Sequence, residues 1–175
     1  MTQSPSMNHL LEGYDRMMER VREYLDEVQP DGSTPNLEGA IQRAVYRAVA
    51  AEELSEAEAR LLGDYLARDL RDAGRHLAGG GREDLGDWLR LDLELVEARL
   101  LELFQAAADR TRLEMLAFEE DLERTSHYRT GEITGPGTLR CDHCGRELRF
   151  HGPSRIPPCP VCHTTAFTRV AGEEA

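Results

Sequence analysis

The placement of the cysteines constrains this 175-residue chain more than any other feature. All four lie in two Cys-x-x-Cys pairs, Cys141/Cys144 and Cys159/Cys162, which are separated by fourteen residues. Two cysteines at this spacing on a tight turn can direct both thiolates at one ion, and four thiolates are a common ligand set of structural zinc. Residues 1–10 lack the basic and apolar segments of a secretory signal. The pattern therefore predicts metal binding in a reducing, cytoplasmic compartment rather than disulfides.

The segment that carries the cysteines is too short to fold on a hydrophobic core alone. Domains below about 40 residues usually need metal or disulfides, and zinc binding contributes about 10–16 kcal/mol in small finger peptides. We predict that residues 138–171 form a zinc ribbon with one structural Zn²⁺ bound by all four cysteines. A closed ligand set argues against catalysis at the metal. We interpret the nearby histidines as polar neighbours; they are His143, His151 and His163.

Local signals predict how the ribbon turns and pairs. Gly145 supplies a permissive backbone after the first pair, and His163 stands where a second glycine would be expected, since histidine tolerates positive φ. A strand over residues 147–151 is expected to turn at Gly152 and Pro153 into a hairpin. A further strand over residues 166–170 would complete a three-stranded ribbon.

The first 130 residues have the apolar periodicity of helices. A capping box formed by Ser55 and Glu58 opens the third helix, and Gly79–Gly81 ends it, so that helices three and four would form an antiparallel hairpin. The apolar seam of the fourth helix shifts near Ala107, which predicts a kink or break there. The expected helices cover residues 7–28, 37–51, 56–77 and 83–126.

Composition changes at about Gly131, where a glycine-rich and proline-containing stretch follows the helices. The predicted fold is mainly α, an antiparallel helical hairpin or bundle followed by a small C-terminal β zinc ribbon. Residues 1–136 carry a net charge of −13 and residues 137–175 a net charge of +1, which indicates two modules with different roles. The predicted divisions are a helical, coiled-coil-like domain at 1–130, a linker at 131–137, the ribbon at 138–171 and a tail at 172–175.

Charge and hydropathy exclude several classes of partner. No stretch approaches the 18 apolar residues of a membrane span, and the acidic excess argues against binding to nucleic acid or anionic membranes. No phosphate loop, nucleophile–base pair or small-molecule pocket is indicated. Basic and aromatic residues of the ribbon could form a face for single-stranded nucleic acid, but we interpret them as a solvated surface over packed rings. They are Arg140, Arg146, Arg149, Arg155 and Arg169, with Phe150, His151 and Phe167.

The run from Gly131 to Phe167 resembles the YbeL-like family of bacterial zinc-ribbon proteins. The segment Glu53–Glu58, followed by Arg68-Asp69-Leu70, is similar to the helical part of that family. The resemblance implies an N-terminal helical region and a C-terminal ribbon in which the four cysteines are the metal ligands. It implies no established reaction.

Two other resemblances are weaker and remain alternatives. Rubrerythrin-like proteins also join a helical bundle to Cys-x-x-Cys pairs, but their di-iron centre needs Glu-x-x-His motifs, which are absent here. A rubredoxin-like iron redox ribbon stays open. DksA-like regulators of RNA polymerase combine a zinc module with an acidic hairpin tip, whose counterpart here would include Asp69, Asp72, Glu83, Asp84 and Asp87. We interpret those carboxylates as a solvated tip, because their spacing does not match that family's motif.

The predicted function is therefore non-enzymatic. The ribbon would bind zinc structurally, and the helices would provide a surface for a protein partner or for self-association, in an interaction or regulatory role.

Overall fold

The computed structural model describes residues 7–27, 36–78, 98–118 and 126–170. Four helices precede six short strands in these residues, so the predicted mainly α fold with a small C-terminal β module is confirmed. Gly79–Gly81, residues 83–97 and the 172–175 tail lie outside the described residues. The helices are α1 (Met7–Asp26), α2 (Leu37–Ala50), α3 (Glu56–Ala78) and α4 (Ala98–Phe118).

The helices share one apolar core. Met17, Ile41, Leu66 and Phe104 come from the four helices in turn and are all buried. Gly63 lets α2 approach α3 closely, because a Cβ at this position would lie only 3.0 Å from a Val45 methyl group. The predicted capping box is present: Glu58 N donates to Ser55 Oγ at 3.3 Å and Ser55 N donates to the Glu58 carboxylate at 2.8 Å. No helix among the described residues combines the length and apolarity needed to cross a membrane.

The sequence predicts a kink or a break near Ala107, and the break is wrong, because α4 continues through this position. Thr111, a polar residue one turn after Ala107, is buried. Its hydroxyl donates to the carbonyl oxygen of Ala107 at 2.9 Å, one turn earlier. A threonine satisfied in this way can lie inside a helix without interrupting it.

The strands of the C-terminal module are β1 (His127–Arg129), β2 (Ile133–Thr134), β3 (Gly137–Cys141), β4 (Glu147–Phe150), β5 (Ser154–Arg155) and β6 (Ala166–Arg169). They form a four-stranded antiparallel sheet in the order β1-β6-β3-β4 and a separate β2-β5 pair. The predicted hairpin at Gly152 and Pro153 is wrong, since β4 pairs with the preceding β3 and the segment after Pro153 pairs with β2. The first cysteine turn connects β3 to β4, and β1, paired with β6, makes the sheet four-stranded instead of three-stranded.

Residues 131–137, where the sequence places a linker, include β2 and lie against the helices. Ile133 belongs to the helical core, and Gly135 N donates to Asp69 Oδ2 at 2.7 Å. The β module has its own apolar cluster around Tyr128, Leu139 and Phe167. The division of the chain into domains remains a prediction.

Candidate metal centre

The structure brings the four predicted cysteines together at one end of the sheet. Cys141 Sγ lies 3.5 Å from Cys162 Sγ, and Cys144 Sγ lies 3.5 Å from Cys159 Sγ. All four sulfurs fall within 4.8 Å of one another. Disulfide bonding would require about 2.0 Å, whereas four thiolates bonded at about 2.3 Å around one tetrahedral ion are separated by about 3.8 Å. The arrangement therefore fits a single four-coordinate ion.

The two cysteine turns have the same backbone hydrogen bonds. Gly145 N donates to the Cys141 carbonyl at 3.0 Å, and His163 N donates to the Cys159 carbonyl at 2.9 Å. Each turn is closed by the N–H of its first cysteine, which donates to Arg146 O in one turn and to Thr164 O in the other. Gly145 has a φ of 73° and His163 a φ of 58°, so both occupy the left-handed region, as the sequence predicts.

The surroundings of the thiols favour the thiolate unequally. Hydrogen bonds from the Thr164 hydroxyl and backbone N–H lower the pKa of Cys162 to about 6. Backbone N–H groups of Cys162 and Val161 lower the pKa of Cys159. At Cys144 the hydrogen bond from the Arg146 N–H lowers the pKa. Desolvation and the neighbouring thiols raise it by more, so that the pKa of Cys144 is raised to about 12. Cys159 and Cys162 thus lie closer than Cys144 to the thiolate form in which cysteine binds metal.

The histidine at position 163 should be replaceable by glycine but not by a β-branched residue. Glycine adopts positive φ freely, whereas a β-branched side chain there is strained, at a cost of about 1–2 kcal/mol. We expect His163→Gly to keep the metal and the melting temperature of the native chain, and His163→Val to melt lower and lose metal faster to a chelator. Equal behaviour of the two variants would show that the left-handed turn is unimportant.

The other ribbon residues singled out from the sequence divide into exposed and buried groups. His143 and His163 are exposed, and His151 is half-buried. Four of the five arginines are exposed, but the Arg169 side chain is only 5 % exposed. Phe150 and Phe167 are buried. Aromatic packing beneath the sheet is therefore confirmed. A nucleic-acid-binding face on the ribbon would lack both phenylalanine rings and the Arg169 side chain, because these are buried.

Asp69 and Asp72 are not part of a solvated acidic tip, and that interpretation is wrong. Both carboxylates are buried where α3 meets the β module. Asp69 accepts hydrogen bonds from the Tyr14 hydroxyl at 2.6 Å and from Gly135 N at 2.7 Å. Burial, followed by the charge of Asp69, raises the pKa of Tyr14 well above its usual range, so this phenol remains a donor.

Arginines balance these carboxylates across the same contact. Arg169 on β6 lies 3.3 Å from Asp69 Oδ1 and 3.5 Å from Asp72 Oδ2. Asp72 also accepts hydrogen bonds from Tyr128 and Arg75, and Arg68 pairs with Asp69 and Glu132. The sequence carried one signal of this buried polar network: Asp69 falls among the apolar positions of α3, between Leu66 and Leu70.

Comparisons with known proteins agree with this geometry. The model of a family described as "Zinc-ribbon containing domain" matches residues 15–171. The chain is similar to the uncharacterized protein YbeL of Escherichia coli strain K12, with 23% identity over 163 residues, 93% of this chain and 97% of that protein. YbeL from the O6:H1 and O157:H7 strains gives the same figures. No solved structure matches the chain.

Proposed function

We propose, since the chain belongs to the family of zinc-ribbon containing domains, that its cysteine cluster holds one structural zinc ion. The ligands are Cys141, Cys144, Cys159 and Cys162. The observation that carries this proposal is the convergence of four sulfurs within 4.8 Å. Four thiolates fill a tetrahedral site and leave no position for water or substrate, which makes the metal structural rather than catalytic.

The protein then acts by binding another macromolecule in the cytoplasm. Its helices support this role, because large apolar side chains are exposed there, including Tyr46 at 75 % and Leu61 at 47 %. Tyr46 lines an open groove of about 600 Å³ between α2 and α3, whose walls also carry Glu56, Arg60 and Asp64. Such a mixture of apolar and charged groups suits a protein partner or a second copy of the chain.

The two alternatives receive different support from the structure. A DksA-like tip would need exposed carboxylates, but Asp69 and Asp72 are enclosed among their own partners. Four thiolates also bind iron, so a rubredoxin-like redox role is tested by the identity of the metal.

Metal analysis of the full chain, purified without added metal, tests the proposal. We expect one zinc per chain and no visible colour, because Zn²⁺ has a filled d shell and does not absorb visible light. Stoichiometric iron with thiolate-to-iron absorption would instead make the ribbon an electron carrier, and a metal-free, folded chain would contradict the proposed site. Cys162→Ser should lose the metal, whereas Val161→Ser, altering a 61 % exposed side chain of the same turn, should keep it.

A further inference from the structure

The strand β6 connects the cysteine cluster with the helices. It lies between β1 and β3 in the sheet, and its residue Phe167 is paired with Cys141. Its last residue, Arg169, projects a guanidinium that is 5 % exposed. One short strand therefore has a cluster ligand beside one end and a buried charge at the other.

That guanidinium contacts α3 as well as its own module. Beyond Asp69 and Asp72, it donates to Tyr128 Oη at 2.8 Å, to Thr134 Oγ1 at 2.8 Å and to the Pro136 carbonyl at 3.0 Å. Loss of Arg169 from this position would be strongly destabilising, because a buried charge would then be left without its partner. Arg169 therefore compensates part of the negative charge of both α3 carboxylates.

The β module supplies part of the compensation for the α3 carboxylates, beside Arg68, Arg75 and Tyr14 of the helices. Asp69 accepts hydrogen bonds from Gly135 N and Arg169, and Asp72 accepts a hydrogen bond from the hydroxyl of Tyr128. Tyr128 is stacked under Arg68, whose guanidinium carbon lies 3.9 Å from the ring centre. If the β module became disordered, Asp69 and Asp72 would lose these partners together, and the α3 surface that carries them would be exposed to water.

We infer that the metal state of the cysteine cluster controls the stability of α3 through Arg169. The inference rests on the proposed metal site. With metal bound, β3 and β6 are fixed and Arg169 stays between the two aspartates. Without metal, β6 loses its anchor, the buried polar network opens, and the α3 face that it covers becomes available. The ribbon then stabilises the helices only while its metal is bound, and it does not fold as an independent module.

Hydrogen exchange of the full chain, before and after removal of metal with EDTA, tests the inference. We expect protection to fall in residues 126–170 and also, by about 100-fold, in the part of α3 around Asp69 and Asp72, as expected when a buried ion pair is broken. Metal content is measured on the same samples. If the chain never held metal, the proposed site and the inference both fail. If metal leaves and only the ribbon loses protection, the metal site stands and the coupling is overturned.

Two variants locate the coupling at Arg169. Arg169→Met should retain the metal yet show reduced α3 protection before EDTA is added, with little further loss afterwards. Arg149→Met, which removes an arginine with a 59 % exposed side chain from the same sheet, should behave like the native chain. If Arg169→Met does not fold, Asp72→Asn provides the same comparison from the α3 side. Native α3 protection in a folded Arg169→Met or Asp72→Asn chain would overturn the role of this ion pair.

Discussion

Replacement of Cys159 by serine should abolish the ordered fold of residues 126–170. Cys159 is fully buried, and a hydroxyl is a far poorer zinc ligand than a thiolate. The metal contributes about 10–16 kcal/mol in small zinc peptides, which exceeds what so small an apolar cluster can supply by itself. The effect is measured as loss of amide dispersion for the ribbon residues in NMR spectra of the full chain.

The same spectra contain the control for this prediction. Signals of α2, which packs against α1 and α3, should stay dispersed in the Cys159→Ser chain, while α3 signals near Asp69 should broaden or shift. Val161→Ser should leave every region unchanged. Native dispersion of the ribbon in Cys159→Ser would mean that the sheet is stable without its metal, and would remove the structural role of the cluster.

Local patterns predicted the cluster and its turns because their information lies within a few residues. Two cysteines three apart, followed by a residue that accepts positive φ, specify a turn almost completely, and Gly145 and His163 both adopt it. The capping box of Ser55 and Glu58 likewise depends on four consecutive residues.

Strand pairing was harder because two turn signals competed. Gly152 and Pro153 are typical hairpin residues, yet the cysteine turn after Cys141 closes the hairpin of β3 and β4. That pairing places Gly137 opposite Phe150 and buries Phe150 in the apolar cluster of the module. The choice depends on the shared core, which periodicity in a four-residue strand does not reveal.

The buried polar network depends on contacts that are distant in the sequence. Asp69 meets Tyr14 across 55 residues and Arg169 across 100. A carboxylate on a helix is ordinarily solvated, so charge alone favoured the wrong interpretation. The informative feature was the position of Asp69 on the core side of α3, which requires a buried partner wherever that partner lies in the chain.

Asp69→Asn should destabilise the folded chain by about 3–5 kcal/mol, a large part of the 5–15 kcal/mol that usually separates folded from unfolded domains. The amide removes the charge that faces Arg169 and Arg68. Tyr14 and Gly135 N both donate to Oδ2, so the amide oxygen can accept from them, but the NH₂ group then faces donors at the Oδ1 position. Urea unfolding followed by circular dichroism measures the change.

Asp64→Asn is the matched control, since Asp64 is an exposed carboxylate on the same helix, and its effect should stay within about 0.5 kcal/mol. The double variant Asp69→Asn/Arg169→Met separates the free energy of the ion pair from the other effects of the two substitutions. Removing both charges should cost clearly less than the sum of the single changes, because neither group is then left buried without its partner. Strictly additive effects, or an Asp69→Asn chain as stable as Asp64→Asn, would show that the helices and the β module are not held together by this pair.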